Sequence, residues 1–338
     1  MRKSLQIGSI FILLLGLSLA GVYAQEGKTV RKSFDAKPRL DIKVVSGACE
    51  IVKGGAGKIE VEVTYDVTPE NAFKPVFRES SGSLRLEEDW DNASRGRVEW
   101  VVKVPEKTEI DFSSASGDFR VEGLETRLDV STASGDCEVL DCKGDLDVNT
   151  ASGDVTVETY NGKLDVSTAS GDVNLRNVGD AVEISTASGD VDAVDVKGQI
   201  DISTASGDMD LSDMKGVMEL SCASGNIEAA DVVLEDAGEF STASGEVHIG
   251  LAQSAAHDLK LSSASGDVVL DYQGNPVKGT FVFTARKDRG RIRSPFPFDK
   301  EEEFKRHGKT YMEKSFSKNG KAPLIELSTA SGTAELRK

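Results

Sequence analysis

With Leu128 as position 1, one stretch of the chain reads LDVSTASGDCEVLDCKGD and the next, from Leu146, reads LDVNTASGDVTVETYNGK. Apolar residues fall at positions 1 and 3 (Leu128 and Val130, Leu146 and Val148, Leu164 and Val166). They recur at positions 10 and 12 (Val155 and Val157, Val173 and Leu175, Met209 and Leu211). Alternation with period two predicts strands that bury one face. Ser-Gly punctuates the turn after the first strand, and a glycine near position 17 (Gly144, Gly162, Gly198, Gly216) punctuates the turn after the second. Position 15 (Leu124, Cys142, Tyr160, Val178, Val196, Met214) supplies a further inward side chain.

The pattern repeats. Ala-Ser-Gly recurs with its glycine at Gly117, Gly135, Gly153, Gly171, Gly189, Gly207 and Gly225, every step being 18 residues, with looser copies at Gly245, Gly266 and Gly332. A unit this short cannot bury its apolar residues alone, whereas stacked copies in register share one continuous core. The reading is therefore an all-β fold, a single-chain parallel β-helix (β-solenoid) with 18-residue coils and two strands per coil. A sandwich of hairpins accommodates evenly spaced strands but does not explain identical residues at equivalent sites. A left-handed hexapeptide helix needs an aliphatic residue every six positions, which this chain lacks, so the right-handed form is expected. Nine coils would give a rod of about 40 Å.

Exposed strand edges at solenoid ends must be covered. Residues 25–105 keep alternating strands, with irregular coils at 40–51 and 81–86, and read as an N-terminal β cap with the first coils. Residues 106–278 are the regular solenoid. Residues 279–338 combine a cap excursion with a last coil at 324–336. Residues 1–24 carry Arg2 and Lys3, an apolar core, and Val22-Tyr23-Ala24, the pattern of a secretory signal peptide. Gln25 rather than Cys follows, so no lipid-attachment motif is present, and no later apolar run is long enough for a transmembrane anchor. The expected location is exported: periplasm, cell surface or secreted.

Charge narrows the partners. The formal net charge of −17 becomes −19 without Arg2 and Lys3, which argues against nucleic acid and leaves cations, basic surfaces or glycans. Four cysteines are too few to build the fold through disulfides, so the core must come from packing. Cys137 and Cys142 occupy inward positions of one coil and read as small buried hydrophobes, with a bridge between them as the alternative.

The Ser-Thr-Ala-Ser-Gly-Asp-Val coils, the entry Val102-Lys103-Val104-Pro105, and the Phe-Pro-Phe segment before a last Ser-Thr-Ala-Ser-Gly coil together resemble a known family. It is the bacterial putative-adhesin β-solenoid family, a domain of unknown function related to auto-transporter adhesin head-like proteins. The resemblance covers most of the chain after residue 24. It implies a right-handed β-helix at the envelope or surface and brings no catalytic residue set.

Stacking turns every repeat position into a column. Position 9 is Asp118, Asp136, Asp154, Asp172, Asp190 and Asp208, then Asn226, Glu246 and Asp267; position 2, on the outer face, is acidic from Asp111 to Glu239. Like charges about 4.8 Å apart repel by roughly 0.9 kcal/mol even in bulk water, so something must offset them. Either the position-9 carboxylates accept hydrogen bonds at the corner, or the column holds Ca²⁺ or a similar hard cation. Asn226 and the missing glycine-doublet calcium repeat favour the first, and no cofactor is expected. The position-5 threonines (Thr132, Thr150, Thr168) share the inward parity of positions 1 and 3, so they line the corner and do not form an ice-binding face.

An enzyme would need paired carboxylates with a basic partner, in loops that leave the regular coil. The coils are nearly uniform, the three histidines are scattered, and no His-Glu-x-x-His pair, Gly-x-Ser-x-Gly elbow or phosphate-binding glycine loop occurs. Asp89-Trp90-Asp91 reads as a turn, since Ala93 replaces the third ligand of a calcium loop. Residues 286–321 concentrate Arg286, Arg289 and Arg291 beside Phe296 and Phe298, a candidate docking segment for an anionic envelope component or a cap packed on the last coil. The expectation is a non-enzymatic adhesin or envelope-binding scaffold whose partner is a glycan or protein. The alternatives are a carbohydrate-active β-helix enzyme and a periplasmic envelope-stress or signalling accessory.

Overall fold

The computed structural model describes residues 27–91 and 95–338, and they form strands and turns without a helix. The expected leader at 1–24, and Ala93, lie outside the described residues. Parallel pairing follows the repeat: Leu128 faces Leu146, which faces Leu164, then Val182, Ile200 and Met218. Inward positions are sealed. Val130, Val148 and Val166 are 0% exposed, and Leu124, Cys142, Tyr160, Val178, Val196 and Met214 are all buried. The sheet is parallel because every coil advances by one rung and brings its strands back in the same direction, and only in-register stacking keeps the apolar parity facing inward.

The second corner differs from the expectation of a single glycine punctuation. Two left-handed residues make it. Asp141, Asn177 and Asp195, at position 14, have φ of 49°, 52° and 57°, and Gly144 and Gly198, at position 17, have φ of 129° and 111°. Asp and Asn are the side chains that tolerate this region best. The chain therefore bends twice, and position 15 points inward between the bends.

Both ends are built out of sequence order. Arg39–Val44 and Ala48–Lys53 stack directly on Glu109–Ser114 and Phe119–Glu122, with Leu40 opposite Ile110 and Cys49 opposite Phe119. Ser83–Trp90 and Arg95–Val104 form a rung outside them. At the other end, the last-in-sequence Leu324–Thr329 and Thr333–Arg337 lie on Leu259–Ser263 and Val268–Asp271, while Gly279–Arg286 and Arg291–Arg293 seat beyond. The final coil of the sequence is thus the penultimate rung.

Twelve parallel pairings join thirteen successive first strands, from Ser83–Trp90 to Gly279–Arg286. That corresponds to a rod of about 60 Å, longer than nine coils would give. Antiparallel strands close both ends: Lys28–Asp35 on Lys58–Thr68 and Phe73–Glu79 on Ser83–Trp90 at one, Lys309–Lys318 on Gly279–Arg286 and Lys300–Arg306 on Lys309–Lys318 at the other. The outermost strand Lys300–Arg306 is exposed throughout and reads KEEEFKR, a charged edge that discourages pairing with another chain.

Candidate binding surfaces

The aspartate column holds one rung to the next. The backbone N–H of Asp136 donates to Oδ1 of Asp118 at 3.0 Å, and the same bond recurs at Asp154, Asp172, Asp190 and Asp208, ending at Asn226 N–H on Asp208 at 2.7 Å. Asn226 Oδ1 does the same work for Glu246 N–H at 2.9 Å, and Asp267 Oδ1 for Thr333 N–H at 2.7 Å. Hydrogen bonds to a charged acceptor offset the repulsion along the column. Among the described residues no group of three His, Cys, Asp or Glu side chains is placed to hold a metal ion. One turn earlier, Thr132, Thr150 and Thr168 accept the N–H of Gly135, Gly153 and Gly171.

The corner glycines have a second reason to be there. A Cβ on Gly135 would stand 2.0 Å from the Gly117 carbonyl oxygen, and one on Gly153 would stand 1.9 Å from that of Gly135. Gly47 belongs to the same column beneath Gly117, and Gly332 lies above Gly266.

The position-2 column is a continuous acidic stripe from Asp111 to Glu239, capped by Arg39 on Asp111 at 2.6 Å and by Lys260 on Glu239 at 2.5 Å. Partial burial, reinforced by Glu183 and Asp147, raises the Asp165 carboxyl above its ordinary range; burial outweighs Arg39 in raising that of Asp111. Burial and then Asp210 do the same to Asp192 on the neighbouring face. The repeat stretches to 20 and 21 residues between Gly225, Gly245 and Gly266. A groove of about 360 Å³ opens there, lined by Asp201, Glu219, Glu239, Asp258 and Lys260. Three of its members are engaged: Lys260 and Glu239 by one another, and Asp258 by the Leu324 N–H at 2.8 Å.

The structure divides the candidate docking segment. Arg286 is buried and pairs with Asp288 at 2.6 Å, so its guanidinium is not presented at the surface. Phe296 and Phe298 are partly buried against Phe316, with Lys318 and Lys314 over their rings, and they too belong to the packing of the cap. Arg289 and Arg291 remain exposed. The four cysteines are free and buried, Cys137 and Cys142 included, so no bridge joins those two.

A cleft of about 470 Å³ was not legible from the repeat. It lies between the hairpin Lys300–Arg306/Lys309–Lys318 and the first-corner face of the last rungs. Phe304, Arg306 and Tyr311 come from the hairpin; Ser241, Ser262 and Ser328, at position 4 of three rungs, face them. Phe304 and Tyr311 sit directly opposite one another in register and their rings stack at 5.6 Å with an interplanar angle of 17°. A single phenylalanine in the charged run KEEEFKR was the available signal.

A family model described as Toastrack DUF4097 matches residues 38–197 and 145–293. No curated protein matches the chain. The chain is similar to the solved structure of a putative lipid binding protein from Parabacteroides distasonis, at 12% identity over 93% of this chain and 98% of that one with a TM-score of 0.32. It is similar to a putative adhesin from Parabacteroides merdae at 12% identity over 93% and 98%, TM-score 0.29. A putative cell adhesion protein from Clostridium sporogenes is 11% identical over 92% and 99%, TM-score 0.18. Superpositions this loose carry no argument; the fold rests on the family match and on the pairing described above.

Proposed function

This chain belongs to the Toastrack DUF4097 family, and from that premise we propose that it is a non-enzymatic exported β-solenoid, an adhesion or cell-envelope scaffold that contacts its partner along an outer face. The observation that supports the reading most directly is the rod itself. Thirteen rungs bury their apolar side chains inward and spend the corner polar groups on one another, so what remains for other molecules is a long, rigid, ordered exterior. Rigid exteriors suit binding, since little ordering entropy is lost on contact. The leader expected at residues 1–24 supports export.

Protease shaving of intact cells, followed by immunoblotting of fractions, tests the location. Cleavage on intact cells supports direct adhesion. Protection until the outer barrier is opened removes adhesion and leaves a periplasmic scaffold or signalling accessory.

The groove at Asp201, Glu219 and Glu239 favours one second reading, a carbohydrate-active enzyme, because it places carboxylates beside a lysine. Release of reducing ends from polysaccharide by the wild type, and its loss in Glu219→Gln, would establish that reading; no release removes it.

A further inference from the structure

We infer that the cleft beneath the C-terminal hairpin binds an acidic pyranose oligosaccharide, with Phe304 as the stacking platform and Arg306 as the carboxylate anchor. The inference rests on the binding-scaffold reading and names a ligand class for one end of the rod.

Three observations converge. The first is the aromatic pair. Phe304, 38% exposed, is the one aromatic residue on an edge strand whose other residues are charged, and it lines the cleft. Its cross-strand contact with Tyr311 steadies the hairpin, but stacking on one side leaves ring surface open toward the cleft. The apolar face of a pyranose, with its C–H bonds directed at the negative face of an aromatic ring, matches such a platform.

The second is Arg306. It is the one charged residue lining the cleft and has no ion-pair partner among the described residues, although its neighbours are paired: Lys287 with Glu303, Lys314 with Glu301, Lys300 with Glu302. Period two puts Phe304 and Arg306 on the same side of their strand, so ring and guanidinium face the same volume. A guanidinium matches a carboxylate with two parallel hydrogen bonds. Residues 286–321 carry twelve Lys and Arg against six Asp and Glu, so this end of an acidic molecule is positive and draws anions to it.

The third is the opposite wall. The position-5 hydroxyls are used internally, Thr242 donating to Gly225 O at 2.9 Å and Thr329 to Gly266 O at 2.8 Å. The position-4 hydroxyls of Ser241, Ser262 and Ser328 make no hydrogen bond within the described chain and line the cleft, one per rung. A ladder of donor–acceptor groups at rung spacing suits the repeated hydroxyls of a sugar chain.

The test is calorimetric titration of the chain from residue 25 to 338 with tetragalacturonate and with a hyaluronan tetrasaccharide, at low and at high salt. Saturable binding of either, weakened by salt, is expected. Phe304→Ala should weaken it about tenfold, and Arg306→Gln by a similar factor with loss of the salt dependence. Phe304→Leu keeps apolar bulk without the ring face and should also bind poorly, with an unchanged melting temperature showing that the hairpin is intact. Absence of saturable binding to both probes, or equal binding by wild type and Phe304→Leu, overturns the inference. If neither probe binds while intact cells are still cleaved in the shaving experiment, the scaffold reading stands and the acidic-glycan cleft does not.

Discussion

The N–H of Asp172 donates to Oδ1 of Asp154 at 2.9 Å, so a residue that looks like one of a repelling pair is also the acceptor that ties its neighbour's backbone to it. The column is a set of rung-to-rung clamps. Its strength comes from aligning backbone donors with a charged oxygen, repeated at a fixed height.

Asp154→Ala should therefore destabilise the chain by about 0.5–1.5 kcal/mol, because it removes the Asp172 N–H acceptor at an exposed corner where water replaces it only in part. Asp154→Asn should cost much less, since Asn226 already performs this role through its amide oxygen. Urea unfolding midpoints of the two variants measure the difference; equal losses would mean that charge, not the acceptor, is what counts.

Calcium and EDTA should both leave the melting temperature unchanged. The column's Oδ1 atoms are engaged by backbone, and no three-ligand group occurs among the described residues. A rise with Ca²⁺ that EDTA reverses would restore the cation column.

Gly153→Ala should be among the most damaging single substitutions, about 4 kcal/mol or more, because the new Cβ meets backbone rather than a side chain that can swing away. Gly82→Ala, with nothing within 4 Å of the added carbon, should change stability by less than about 0.5 kcal/mol. Chemical denaturation compares them directly.

Acidification gives a signed test. Asp111, Asp165 and Asp192 have carboxyls raised above their unfolded values, so the folded state binds protons more readily and stability rises as pH falls toward them from neutrality. Asp35, Glu62 and Asp288 are held low by Lys58, Arg31 and Arg286, so their contribution is present above the unfolded carboxylate range and is lost as pH falls through the lowered folded values. The urea midpoint should hold or rise as pH falls from neutrality toward the ordinary carboxylate range and fall below it. In Asp165→Asn the rise should be smaller, and a midpoint falling monotonically from pH 7 would contradict this account.

The thiols of Cys49 and Cys137 are pushed well up by burial, and all four cysteines are free. Ellman's reagent should react with none of them in the native chain and with all four in denaturant, and a reductant should leave the melting temperature unchanged. Fewer than four reactive thiols after unfolding would reveal a disulfide.

Much of the architecture was legible because the solenoid writes the same local problem in every unit. The alternation at positions 1, 3, 10 and 12 specified strands and their inward faces. The constant spacing of Ala-Ser-Gly specified parallel stacking, and Leu128 facing Leu146 is that spacing made visible. The left-handed residue at position 14 was written there too, as Asp141, Asn177 and Asp195, but it is a weaker signal than glycine because Asp and Asn also serve many other turns.

Tertiary structure decided what the repeat does not encode. Gly47 sits beneath Gly117 although 70 residues separate them, and the final coil slides under Gly279–Arg286, because strand edges pair with whatever presents matching parity and register, not with what comes next in the chain. The roles of the cap side chains were decided in the same way. Arg286, Phe296 and Phe298 stood out in the sequence by their chemistry but are consumed by Asp288 and Phe316, while Phe304 and Arg306 remain open to solvent. A repeating pattern determines its own packing because each copy meets the same neighbours; whether a side chain outside it is buried or free depends on which distant strand folds over it.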